Sequence, residues 1–274
     1  MGDVLVLDFQ HMYRPERFSG AEVLDFEDLT GVRGFLDPEA EEVLRESLSP
    51  HGPSGIHLIG DGNYHYLSRL FTSMISEPYD LLMLDHHTDL QRPAFGDDLL
   101  TCGSWLRQVL CWDPMVREVY LAGPPERMLA ESAGDLDLTR VHFLPMEQFR
   151  CPERRRAFRA QKNNLPLYLS VDEDILRKED LVTNWDQGDL AFWELTAFLG
   201  GFLPGTALIG ADICGGMAPS DIGAESLGGM APSGMGDQAP GSLFRGISED
   251  EIGKMRERAD LALIRAVRPF LRLV

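Results

Sequence analysis

The chain has 274 residues, 44% of them hydrophobic, which suffices for one sizeable α/β domain over residues 1–274. It carries 44 acidic against 25 basic residues, a formal net charge of −19, and this argues against nucleic acid and anionic membrane as partners. Cys102, Cys111, Cys151 and Cys214 show no Cys-x-x-Cys spacing and no basic apolar leader precedes the first strand-like run, so they read as reduced thiols of a cytoplasmic protein.

In chain order, Asp3 to Phe9 reads as a strand and Pro38 to Ser47 as a helix. Residues 55–59 are a strand, Tyr66 to Ser76 a helix, 80–85 a strand and Ser104 to Cys111 a helix. The alternation continues with a strand at 117–122, a helix from Pro125 to Ala133 and a strand at 140–144. A helix from Met146 to Lys162, a strand at 165–172, a helix from Leu190 to Phe202 and a strand at 205–213 follow. Ser248 to Leu271 reads as the last helix. Such alternation predicts an α/β fold with a mainly parallel sheet covered on both faces. The apolar region Leu195 to Ala211 is broken by Gly200-Gly201 and Pro204-Gly205, so it reads as helix, turn and strand rather than a membrane span. Residues 215–242, rich in Gly, Met, Pro and Ser, repeat Gly-Gly-Met-Ala-Pro-Ser at 215–220 and 228–233. They read as a long loop, either a lid over a site or an insertion without a role.

Three of the apolar strands run into metal-capable residues. Leu81-Leu82-Met83-Leu84 leads into Asp85-His86-His87-Thr88-Asp89. Strand alternation predicts that Asp85, His87 and Asp89 point to one side, with His86 and Thr88 on the other. Leu165 to Val171 leads into Asp172-Glu173-Asp174, again with two carboxylates two residues apart. Gly55 to Ile59 leads into Gly60-Asp61-Gly62-Asn63-Tyr64-His65, whose glycines permit a tight turn. Ligands of open α/β sheets bind at the carboxyl ends of the strands. Two imidazoles and four carboxylates, His65, Asp85, His87, Asp89, Asp172 and Asp174, suit two divalent metals better than one.

The order and spread of these motifs, Gly-rich turn with histidine, Asp-x-His-x-Asp and Ser170-Val171-Asp172-Glu173-Asp174, resemble those of the arginase-like ureohydrolase superfamily over at least residues 55–215. The resemblance implies a three-layer α/β/α sandwich and a dimanganese centre, with Zn²⁺ or another divalent ion less favoured, held by those six residues. It implies hydrolysis of a C–N bond in a guanidino group, with Asp89 orienting the attacking water. The chain also departs from the pattern. A Cys102-Gly103 pair stands where arginases have His-Gly, which makes Cys102 a candidate proton donor in its place. The Gly-Thr-Pro segment is replaced by Thr183 to Gly188. The glutamate that holds the guanidinium has no counterpart after Asp212-Ile213-Cys214-Gly215-Gly216, which leaves Asp186, Asp221 and Glu225 as candidates. Asp186 has a second reading, as the cap of the helix that begins near Leu190. Gly-Asn-Tyr-His-Tyr, Cys-Gly-Ser-Trp and Thr-Asn-Trp-Asp-Gln-Gly are similar to a divergent branch that includes peptide arginases, so the partner is expected to be a guanidino small molecule or an arginine-containing peptide. Two alternatives stay open: a mononuclear zinc deacetylase on the same fold, and a non-catalytic metal-stabilised or peptide-binding protein. The oligomeric state is not legible.

Overall fold

The structure is a computed structural model, and it describes residues 3–18, 20–132, 134, 136–218, 221 and 248–272. Eight strands form one sheet: β1 (Val4–Asp8), β2 (Glu22–Asp25), β4 (Gly55–Leu58), β5 (Tyr79–Leu84), β7 (Val116–Ala122), β8 (Val141–Leu144), β9 (Leu167–Asp172) and β10 (Leu208–Cys214). Their order is β2-β1-β4-β10-β9-β5-β7-β8, and every pairing is parallel. Two short strands, β3 (Phe35–Leu36) and β6 (Leu100–Thr101), pair antiparallel beside it.

The order follows from the apolar content of the strands. β5, β9 and β10 are buried at every position, so they need neighbours on both edges and cover on both faces. Each fully buried Leu, Val or Ile there contributes about 1.5–3 kcal/mol. β2, Glu-Val-Leu-Asp, is mostly exposed and forms the edge.

Helices cover both faces. On one side α7 (Phe192–Phe202) and α8 (Glu249–Val267) pack Leu195, Phe198, Leu199, Leu263 and Val267 against Leu82, Leu84, Leu169 and Val171. α5 (Met146–Phe149) and α6 (Pro152–Ala160) add Phe149 and Phe158. On the other side α1 (Pro38–Leu48), α2 (Leu67–Thr72) and α3 (Trp105–Trp112) pack Leu44, Phe71 and Trp105 against Leu81, Met83 and Tyr168. α4 (Glu126–Ser132) buries no residue. Proline sets one departure from the sequence reading. The single helix expected from Met146 to Lys162 is two, because Pro152 has no N–H for a continuing helix and instead starts α6 at its first turn.

The chain crosses from β4 to β5 over the two places that β9 and β10 later fill. The carboxyl ends of β4, β10, β9 and β5 therefore lie side by side in the middle of the sheet. Each of the six metal ligands expected from the sequence lies on or after one of three of them: β4, β9 and β5.

Candidate metal centre

β5 stops at Leu84, and Asp85 to Asp89 is not strand. The alternation expected for Asp85, His87 and Asp89 is therefore corrected: a tight turn brings them together. Asp85 Oδ1 accepts the His87 backbone N–H at 2.5 Å, and Asp89 has a φ of 50°. Such a conformation costs a non-glycine residue energy and is kept only where its surroundings hold it. Trp105 provides that hold by donating its indole Nε1–H to Asp89 Oδ2 at 2.6 Å. Asp172 likewise ends its strand and caps a 3₁₀ turn over Glu173–Ile175, accepting the Asp174 N–H at 2.9 Å.

The three strand ends meet. His65 Nδ1 lies 3.2 Å from Asp85 Oδ2, 3.0 Å from Asp89 Oδ2 and 3.4 Å from Asp172 Oδ2. His87 Nδ1 lies 2.8 Å from Asp174 Oδ2 and 3.6 Å from Asp85 Oδ1. Among the described residues three groups have the mutual spacing of metal ligands: His65/Asp85/Asp89, Asp85/His87/Asp174 and His65/Asp172/Cys214. Asp85 joins the first two. The six expected ligands thus share one buried cluster, and sequence reasoning missed a seventh group in it, the Cys214 thiol.

A polar seam behind the cluster orients His65. β9 and β10 turn Tyr168, Ser170, Asp212 and Cys214 to the face covered by α2. His65 Nε2 lies 2.9 Å from Ser170 Oγ, and Ser170 donates its hydroxyl to Asp212 Oδ1 at 2.6 Å. With Nε2 held against Ser170, Nδ1 is the nitrogen that faces the three carboxylates, protonated toward them and able to bind a cation once it gives up that proton. Ser170 and Asp212 stood in the quoted motifs, but only the register of β9 on β10, which pairs the two residues, discloses this relay.

The electrostatics show a site short of positive charge. Burial pushes Asp89 up to about 6, with Asp85's charge adding to it. Burial also raises Asp172 and Asp174, each reinforced by a neighbouring carboxylate. Burial would raise Asp85 too, but bonds to His65 and His87 outweigh it and hold Asp85 low. Burial opposes charge on His65 and His87, yet their carboxylate partners raise both well above the ordinary histidine value. Four buried acids face two imidazoles, while Asp85 Oδ2 and His87 Nε2, both buried, have no aligned hydrogen-bond partner. Hard oxygen donors, imidazoles and excess negative charge fit two divalent cations.

The remaining expected residues lie around this cluster. Cys102 follows β6 and donates its N–H to the Gly34 carbonyl at 3.1 Å. Burial, then Asp89's charge, push its thiol far above the ordinary range, so it stays protonated. His86 lies outside the three ligand groups; its backbone N–H donates to Asp174 Oδ1 at 3.0 Å and its Nε2 lies 3.6 Å from Asp186. The Asp186 side chain is half exposed and does not cap α7, whose N-cap is Ala191 and where the Phe192 and Ala191 N–H groups bond Asp180 and Glu194. Asp221 is held by Arg33 Nη2 at 2.7 Å and Asn184 Nδ2 at 3.3 Å. Asn184 also bonds the buried Asp61, which burial pushes up to about 6. Glu225 and most of the 215–242 segment lie outside the described residues. Trp185 packs over Gly62, where a Cβ would come within 2.7 Å of the indole, and meets the His87 ring edge-on at 5.9 Å. The Thr183 to Gly188 segment thereby walls the cluster with an aromatic side chain.

No family model matches the chain. An uncharacterized protein of Thermotoga maritima is 28% identical over 213 residues, 77% of this chain and 78% of the relative. Among solved structures, proclavaminate amidino hydrolase from Streptomyces clavuligerus superposes with a TM-score of 0.63 at 15% identity, over 97% of this chain and 92% of that one. The agmatine ureohydrolase of Thermoplasma volcanium gives 0.61 at 13% identity, over 97% and 90%. Formimidoylglutamase from Bacillus subtilis gives 0.59 at 14%, over 97% and 86%. With its parallel eight-stranded sheet between two helical layers, this chain has the arginase-like α/β fold of the ureohydrolases.

Proposed function

We propose that this protein is a binuclear metal-dependent hydrolase that cleaves a C–N bond of a guanidino group. The observation that carries the reading is the pair of ligand groups sharing Asp85, on a fold whose solved relatives include an agmatine ureohydrolase and an amidino hydrolase. His65, Asp85, Asp89 and Asp172 would hold one cation; Asp85, His87 and Asp174 the other. Mn²⁺ suits the oxygen-rich set best, with Zn²⁺ second. When bound, the pair supplies Lewis acidity and lowers the pKa of water toward neutrality.

The chain's own residues do the rest. Trp105 fixes the Asp89 carboxylate, so Asp89 keeps one oxygen aimed at the cluster. The Ser170–Asp212 relay fixes the His65 tautomer. Trp185 limits water at the His87 side, which strengthens every charge interaction inside. Cys102 is the proton-donor candidate by its place in the motif alone, since burial holds its proton too firmly for it to be a strong acid toward a leaving amine. Asp186, whose partner among the described residues is His86 at 3.6 Å and which is half exposed, is the described acid best placed for a substrate guanidinium; Asp221 already has Arg33. An acid at the exposed rim suits arginine within a peptide, giving ornithine and urea, better than free arginine. A mononuclear zinc deacetylase is the weaker reading, because one ion held by Asp85, His87 and a later aspartate leaves His65 and Asp89 without a use.

Urea release from Mn²⁺-loaded protein tests the activity, across agmatine, free L-arginine, guanidino acids and an acetylated, amidated arginine peptide. Peptide turnover is expected to exceed that of free arginine. Turnover of free arginine alone would reject the peptide substrate, and no urea from any of them would reject the guanidino reading.

A further inference from the structure

We propose that the Cys214 thiol is a direct ligand at the His65 position of the metal centre, so that this position contains sulfur and prefers Zn²⁺, Co²⁺ or Fe²⁺ to Mn²⁺. The inference rests on the metal-centre reading and deepens it. Cys214 is the last residue of β10 and pairs in register with Asp172, the last residue of β9. Neighbouring residues of parallel strands present their side chains on one face, so the thiol and the carboxylate share the cluster side of the sheet. Cys214 Sγ lies 3.2 Å from Asp172 Oδ2, and Cys214 is 1% exposed. Sγ, one His65 nitrogen and one Asp172 oxygen are close enough to one another for one ion to touch all three. A second observation lies on the other side of the same His65 ring and also suits a cation. Asp85 Oδ2 faces His65 Nδ1 at 3.2 Å, is buried with its residue only 1% exposed, and has no aligned hydrogen-bond donor.

The backbone fixes the thiol there. Gly215 has a φ of 116°, and a Cβ on it would stand 3.0 Å from Asp172 Oδ1 and 2.7 Å from Glu173 Cβ. The chain therefore turns sharply just after Cys214, and only glycine allows it to do so against Asp172. Cys102, Cys111 and Cys151 belong to none of the ligand groups of the described residues. The consequence is selectivity. Thiolate is a soft donor that favours borderline ions, whereas the His87/Asp174 position has only nitrogen and hard oxygen donors. The two positions then differ in kind, and a centre with one Mn²⁺ and one borderline ion follows. The proposal adds a sulfur donor to the sulfur-free set of six residues read from the sequence.

Cobalt titration of the metal-free, full-length protein tests this, with absorption spectra and elemental analysis on the same samples. The expected result is a near-ultraviolet sulfur-to-cobalt charge-transfer band in wild type and in Cys102→Ser. Cys214→Ser should lose that band while still taking up cobalt. A band that survives in Cys214→Ser, or cobalt bound by wild type without any band, overturns the inference and leaves the metal centre standing. No cobalt uptake by wild type overturns the metal centre itself. Should Cys214→Ser not fold, X-ray absorption of zinc-loaded wild type decides: a sulfur scatterer at about 2.3 Å is expected, and a shell of only nitrogen and oxygen contradicts it.

Discussion

Asp85 is the residue on which the two ligand groups depend, with one oxygen near His65 and the other near His87. Asp89 serves only the His65 side. The two substitutions to asparagine should therefore differ. Asp85→Asn is expected to retain fewer than about one ion per chain after dialysis, and Asp89→Asn about one, each with urea release reduced at least ~100-fold. Elemental analysis beside circular dichroism measures this. Full metal content in both, with the fold intact, contradicts the assignment. Asp85, His87, Asp89, Asp172 and Asp174 were legible because each follows an apolar run in the sequence. Trp105 and Cys214 were not legible as parts of the site, since an aromatic in a helix or a thiol ending a strand reads as core until neighbouring strands are placed.

Gly123 ends β7 with a φ of 118°, and a Cβ there would stand 2.2 Å from the Asp85 carbonyl oxygen. Gly123→Ala should cost about 2–4 kcal/mol and weaken metal uptake, because the backbone that carries Asp85 must move. Gly200 lies in the last turn of α7 with open space around it. Gly200→Ala should instead stabilise by about 0.5–1 kcal/mol. Denaturant unfolding of both variants checks the pair, and a neutral Gly123→Ala would show that the β7–β5 junction is not tight. Seven strands of the central sheet were readable from their apolar runs. β2 was not: Glu-Val-Leu-Asp on an exposed edge has neither an apolar run nor a buried face to betray it. The break between α5 and α6 was missed because the helical pattern continues through it, although Pro152 marks the new start.

Stability and metal loading should respond to pH in opposite ways across the whole molecule. Burial pushes Asp260, on α8, up to about 7 and Asp61 up to about 6. In the unfolded chain both ionise near about 4. Between those values the folded protein holds more protons, so the stability of the metal-free protein falls as pH rises from about 4 to about 7 and then levels. Asp260→Asn should flatten this slope, raising stability at pH 7.5 and leaving it unchanged near pH 4. Thermal unfolding in chelator across that range measures it, and a wild-type midpoint that rises with pH from 4 to 7 would contradict it. Metal binding needs deprotonated ligands, so the stabilisation by added Mn²⁺ should grow over the same interval.

The central claim is that the carboxyl ends of β4, β9 and β5 build one cage for two cations. Anomalous diffraction at the manganese edge from Mn²⁺-loaded crystals tests it most directly. Two peaks are expected, both in contact with Asp85, one beside His65 and Asp89 and the other beside His87 and Asp174. A single peak, or none within reach of Asp172 and Asp174, would contradict the account.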